Sequence, residues 1–176
     1  VIDENVDRMI DLILQSAARL QKDAAFDQKV HHELAKAAAG EGIVLLKNKD
    51  NILPLHEGTK VALIGKMAEK TRYQGAGSSH INPTKLTQPK DVISHTAFAV
   101  GCDERGNTSE EMLKEAERVA HAADVAIVFA GLTEVYESEG FDRKDMKMPE
   151  GHVRMIEAVA SANPNTIVVL MCGSAV

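Results

Sequence analysis

The chain has 176 residues, 44% of them apolar and 26% charged, and its 20 Lys and Arg against 26 Asp and Glu give a formal charge of −6. That length suits one compact core rather than two full domains, and the acidic balance leaves no basic excess to neutralise the phosphates of a nucleic acid or an anionic membrane. No apolar stretch approaches the roughly 20 residues that cross a bilayer, and two cysteines, Cys102 and Cys172, make neither a metal-ligand cluster nor a disulfide framework.

The start, Val1-Ile2-Asp3-Glu4-Asn5, lacks an initiator Met and the basic and apolar regions of a signal peptide. Over residues 3–22, Val6, Met9, Ile10, Ile13, Leu14 and Ala17 recur at helical spacing, with Asp3, Glu4 and Asp7 near the positive end of the helix. Residues 22–29, with Phe26 as their one large apolar side chain, read as a connector. Residues 31–48 begin as an alanine-rich helix and carry an apolar stripe through Leu34, Ala38 and the run 43–46, although Gly40 and Gly42 are poor helix formers. A proline turn closes residues 51–55.

Strand signals follow. Residues 60–65, 124–131 and 166–173 are near-continuous apolar runs ending at glycine, the pattern of strands covered on both faces, and residues 97–102 are a shorter case. Helices lie between them: residues 109–123 start at a Ser109 cap, and residues 150–162 stop at Asn163-Pro164. This alternation predicts an α/β fold, a three-layer sandwich with a mostly parallel, doubly wound sheet. The polar loop 73–94 is too long to be idle. Because the last strand stops at the end of the chain, the sheet is expected to be truncated at its C-terminal end, in a fragment cut at both ends.

Just beyond the strand 124–131, Glu134, Glu137, Glu139 and Asp142 put four acids within nine residues. Ligands of open α/β sheets are handled past the carboxyl ends of the strands, so these carboxylates are either a solvated surface or an acid–base site. The segment Gly75-Ala76-Gly77-Ser78-Ser79-His80 lets backbone approach a ligand and offers hydroxyls suited to phosphate or sugar. Its third glycine is missing and no helix pattern follows, so a dinucleotide reading is poor. His80 is the one histidine near a suspected site. No metal-binding His pair and no Gly-x-Ser-x-Gly elbow occurs, and metal and serine-triad readings are set aside.

The order of blocks 38–48, Leu53-Pro54-Leu55, 61–65, Gly75-Ala76-Gly77-Ser78-Ser79, Glu137-Ser138-Glu139-Gly140-Phe141-Asp142-Arg143 and 163–170 closely resembles the second domain of family 3 glycoside hydrolases. The resemblance implies that residues 1–30 are the last helix of a preceding barrel domain plus a linker, and that residues 31–176 are an incomplete α/β sandwich domain. It further implies part of a retaining β-glucosidase acting on terminal β-D-glucosyl residues of a β-glucoside or oligosaccharide, with no cofactor and no metal. The nucleophile, an aspartate on the barrel, has no counterpart here, so the fragment alone is expected to be inactive. Residue by residue, the acid/base falls on Glu139, with Glu137 the runner-up and a substrate contact. Ser78, beside Gly77, falls on the serine that reaches a sugar hydroxyl. Asp142 and Arg143 read as a salt-bridged turn that aims Glu139.

Three alternatives remain beside this reading. One is a non-catalytic, flavodoxin-like small-ligand module. The others are family 3 members of different specificity: a β-xylosidase, or a β-N-acetylglucosaminidase with its acid/base on the barrel. The expected partners are the missing barrel of the same polypeptide and a second copy in a homo-oligomer. Free cysteines without a disulfide pattern lean towards the cytoplasm.

Overall fold

The computed structural model describes residues 1–21 and 25–176. Lys22, where the first helix was expected to end, and the start of the 22–29 connector lie outside the described residues. The chain divides into two compact units, Val1–Val44 and Leu45–Val176. Among the described residues, no helix is long and apolar enough to cross a membrane.

The smaller unit holds two helices. In α1 (Ile2–Ala18) Asp3 and Glu4 sit in the first turn, where the exposed amide groups favour negative charge, and no residue is buried. Helix α2 (Gln28–Gly42) starts three residues earlier than expected because the Asp27 carboxylate caps it, accepting from the amides of Lys29 at 2.8 Å and Val30 at 3.1 Å. It also stops sooner. The run 43–46, expected to extend its apolar stripe, has no regular structure and is exposed. Two glycines followed by β-branched Ile43 and Val44 favour extended backbone there, and Ile43 adopts it.

The larger unit is an α/β sandwich built on four strands: β1 (Val61–Ile64), β2 (Ala97–Ala99), β3 (Val125–Gly131) and β4 (Thr166–Met171). All pairings are parallel and the order is β2-β1-β3-β4. Four strand signals in the sequence thus become four strands. One face of the sheet, with Ala62, Ile64, Ala126, Val128 and Ala130, packs on α5 (Glu110–His121) and α6 (Glu150–Ala162) through Ala116, Val119, Met155 and Val159. Alanines in the sheet let the helices come close. The opposite face, with Leu63, Ile127 and Phe129, is covered by Met67 and Ala68 of the short helix α3 (Lys66–Glu69) and by Ile93, next to α4 (Pro89–Val92). Glu69 accepts from Lys66 at 2.7 Å and from Lys90, tying α3 to α4, and these two ammonium groups hold its carboxyl down at about 2.

The last strand departs from expectation. Its apolar run predicts cover on both faces, yet Val168 and Leu170, on the α5/α6 side, are 38% and 41% exposed. β4 is the edge of the sheet, and α6 packs chiefly over β3, so among the described residues no layer closes over these two side chains.

Candidate active site

The carboxyl ends of the strands carry the loops that matter. At the end of β3, Gly131 has φ +150°, and a Cβ there would lie 2.1 Å from the Met171 carbonyl oxygen, so only glycine lets β3 and β4 close up at this end. Leu132 and Thr133 remain buried, and the Thr133 carbonyl accepts from the amides of Tyr136 at 2.9 Å and Glu137 at 3.0 Å. This turn swings the chain round so that Glu137 faces inward.

Glu137 is fully engaged. Its carboxylate accepts from Arg72 Nη1, from the Gly173 amide at 3.0 Å and from Ser174 Oγ at 2.7 Å, while Arg72 Nη2 donates to its carbonyl at 2.8 Å. Burial pushes its carboxyl upward, but the bonds from Ser174, Arg72 and Gly173 outweigh it and hold the group at about 2. An acid so held is ionised at any physiological pH.

Glu139 stands on the exposed tip of the same loop. Ser78 meets it from the glycine loop after β1, donating its amide to Oε2 at 2.8 Å and its hydroxyl at 2.7 Å. The glycine loop is closed at its base, where the Gln74 side chain donates to the Ile81 carbonyl at 3.3 Å and accepts from its amide at 3.0 Å. At its tip Gly77 has φ +71°, which turns the Ser78 amide outward towards the carboxylate. The Ser78 hydroxyl and amide lower the Glu139 carboxyl below its ordinary value.

Beside these loops lies a cavity of about 450 Å³, lined among others by Lys66, His80, Arg105, Thr133, Glu134 and His152. It opens between the ends of β1 and β3, where the strand order reverses and α/β sheets hold ligands. His80 Nε2 is 3.6 Å from the Glu134 carboxylate on its rim. His152 is 2% exposed, with Nδ1 2.8 Å from the Gly131 carbonyl oxygen, and burial lowers its pKa and favours the neutral ring.

Of the residues singled out in the sequence, Gly77, Ser78 and Glu139 come together, and Glu137 faces away from them towards Arg72. The expected Asp142–Arg143 salt bridge is not formed. Arg143 instead reaches the end of β4, donating to Ser174 Oγ at 2.8 Å and the Ala175 carbonyl at 2.7 Å, and among the described residues Asp142 has no ion-pair partner. Arg72, His152 and Ser174 escaped sequence reasoning. Each is a single polar residue in a loop or first helical turn, and only the fold brings it to the site. Among the described residues, no group of three or more His, Cys, Asp or Glu is placed to hold a metal ion.

Comparison with known proteins identifies the family. Residues 43–176 match the family model described as the glycosyl hydrolase family 3 C-terminal domain, and the chain belongs to that family. It is 42% identical to a thermostable beta-glucosidase B of Acetivibrio thermocellus, over 100% of this chain and 24% of that protein. It is also 42% identical to an exo-alpha-(1->6)-L-arabinopyranosidase of Bifidobacterium longum, over 99% of this chain and 25% of that one. The crystal structure of a Bifidobacterium adolescentis family 3 beta-glucosidase superposes with a TM-score of 0.86 at 42% identity, covering 96% of this chain and 26% of that chain. The chain thus spans about a quarter of the length of the relatives it matches.

Proposed function

We propose that this chain supplies the general acid/base, Glu139, and a sugar contact, Ser78, of a retaining β-glucosidase whose nucleophile lies on a barrel domain of the same polypeptide. The observation that carries the reading is the meeting of Ser78 and Glu139 at 2.7 Å across 61 residues of sequence, each lying in its own block of the family resemblance. In this assignment residues 1–30 belong to the end of the barrel domain and its linker. The two free cysteines favour a cytoplasmic protein.

A retaining mechanism needs two carboxyl groups about 5–5.5 Å apart, one attacking the anomeric carbon and the other protonating the leaving oxygen and later deprotonating water. Glu139 takes the second role. For the first step it must be protonated, whereas in this chain Ser78 favours its ionised form. Docking of the barrel domain strips water from the loop, and a sugar hydroxyl draws Ser78 Oγ away. Both changes raise the carboxyl pKa towards what an acid catalyst requires. Glu137, the runner-up acid, is disfavoured by its pairing with Arg72 and its carboxyl at about 2.

A second reading keeps the mechanism and changes the sugar. Relatives of this chain carry names of an arabinopyranosidase and, at 30% identity, of a probable beta-D-xylosidase, so a pentoside is the competing substrate. The test uses the full-length polypeptide with Glu139→Gln, assayed on aryl β-glucosides and β-xylosides carrying good and poor leaving groups, with and without azide. The expected result is a loss of about 10²–10⁴ in rate on the poor leaving group, a smaller loss on the activated one, and azide rescue as a β-glycosyl azide. Unchanged rates would remove Glu139 from the chemistry. Hydrolysis by the 176-residue chain alone would remove the need for a barrel nucleophile.

A further inference from the structure

The loop that carries Glu139 is fastened at two points on either side of it. At one point Glu137 is held by Arg72 from the loop after β1 and by Gly173 and Ser174 from the end of β4. At the other, Arg143 donates to Ser174 Oγ and to the Ala175 carbonyl. Both fastenings converge on one atom: Ser174 Oγ gives its proton to Glu137 at 2.7 Å and receives one from Arg143 at 2.8 Å. The span 138–142 is left as an arch with Glu139 near its crown, and an added Cβ on Gly140 would meet nothing within 4 Å.

From this arrangement we infer that Arg72, Glu137, Ser174 and Arg143 form a brace that sets the pose of Glu139, with Glu137 a positioning residue rather than an acid. The inference rests on the proposed role of Glu139. Glu137 and Arg72 side chains are 20% and 14% exposed, so the pair is sheltered from most of the screening that weakens a surface ion pair. Arg72 also donates to the Leu132 carbonyl at 3.3 Å and the Glu137 carbonyl at 2.8 Å, fixing backbone as well as side chain, while its Nε is buried without a partner among the described residues. The guanidinium is therefore oriented by this loop and not by saturation of all its own donors. Among the described residues no such fastening reaches Glu139 itself, whose bonds there go only to Ser78. Its aim is inherited from its neighbours.

The brace is tested in the full-length polypeptide by Glu137→Gln, Ser174→Ala and Arg72→Lys, each beside Glu139→Gln, on the two aryl β-glucosides of unequal leaving group. Thermal unfolding accompanies each assay. A misplaced acid costs most where the leaving group needs its proton. Glu137→Gln is expected to lower kcat on the poor leaving group about ten-fold or more, with the activated substrate and KM little changed, a shifted basic limb of the pH profile and no azide rescue. Ser174→Ala keeps the Arg72 pair intact and should give a smaller loss of the same kind. Arg72→Lys keeps the charge and should fall between. Equal losses on both substrates would reduce the brace to scaffolding, and unchanged kinetics in all three variants would remove it altogether. Azide rescue of Glu137→Gln with a loss as deep as that of Glu139→Gln would make Glu137 the acid. If Glu139→Gln itself shows no dependence on leaving group, it is the role of Glu139 that fails, whatever the brace variants do.

Discussion

Ser78 spends both of its donors on Glu139. Its amide and hydroxyl converge on one carboxylate at 2.8 and 2.7 Å, so the residue assigned to a sugar hydroxyl and the residue assigned to the leaving oxygen satisfy each other before any substrate arrives.

Removing the hydroxyl should therefore free the carboxyl. The Ser78 bonds lower the Glu139 pKa, so Ser78→Ala is expected to raise it towards the ordinary glutamate value in the 176-residue chain. Carbon-detected NMR titration of the Glu139 carboxyl reads this directly. The part of the shift due to the Ser78 amide should survive the substitution, and a titration midpoint that does not move would mean that the hydroxyl bond is absent in solution.

Glu137 gives the fold an acid-sensitive contact. Its folded pKa of about 2 lies below the 4.5 of an ordinary glutamate, so the unfolded chain binds a proton more readily. The stabilisation is complete above about pH 4.5 and is lost as pH falls towards 2, by at most about 3 kcal/mol. Chemical denaturation between pH 6 and pH 3 should show this fall, and Glu137→Gln should flatten it. Glu69, held at about 2 by Lys66 and Lys90, contributes a parallel but more exposed and weaker dependence that Glu137→Gln leaves in place.

Asn163 closes the far end of the core. The buried amide donates to the Ala120 carbonyl at 2.8 Å and the Ala123 carbonyl at 2.9 Å, and its oxygen accepts from the Asn165 amide at 2.9 Å. These bonds give a second donor to the Ala120 carbonyl, which also accepts from the Ala123 amide at 3.2 Å, and a donor to the Ala123 carbonyl just beyond α5. Asn163→Leu removes both donors and the acceptor for Asn165, at a cost of about 2–3 kcal/mol, and should lower Tm by about 5–10 °C in a thermal melt.

Two glycines with positive φ should answer substitution differently. An alanine at Gly131 meets backbone, the Met171 carbonyl oxygen at 2.1 Å, and the strands must part. An alanine at Gly77 meets the end of a flexible side chain, Glu139 Oε2 at 2.6 Å, which can swing away. Gly77→Ala is expected to cost about 1–2 kcal/mol from backbone strain and to move the Glu139 carboxylate, while Gly131→Ala should cost more than about 3 kcal/mol or prevent folding. Denaturation midpoints of the two variants decide the order.

Much of this was legible from the residues. The strands announce themselves because a parallel sheet covered on both faces demands unbroken apolar runs, as in Ala126-Ile127-Val128. The family blocks assign Ser78 and Glu139 to one sugar site, but the hydrogen bond between them emerges only from the structure. Partners were another matter. Glu137 is satisfied by Arg72, 65 positions away, and by Ser174, 37 positions away, and no periodicity encodes either distance. Arg143 lies beside Asp142 in sequence, which suggests a local pair, but its Nη1 donates instead to the Ser174 hydroxyl and the Ala175 carbonyl, just past the end of β4. The cover of β4 was misjudged for a related reason: an apolar run states what a strand prefers, not whether a layer stands over it.

The dependence of Glu137 on Ser174 also fixes a sequence of events in time. A chain emerging from the ribosome can pair β1 with β2, and then β1 with β3, before residues 173 and 174 exist. The loop after β3 is by then already made, with Glu139 on it, yet its anchor at Gly173 and Ser174 has still to be synthesised and laid down with β4. Glu139 is the earlier arrival and its supports follow. The braced form of the loop therefore waits until β4 has joined the sheet.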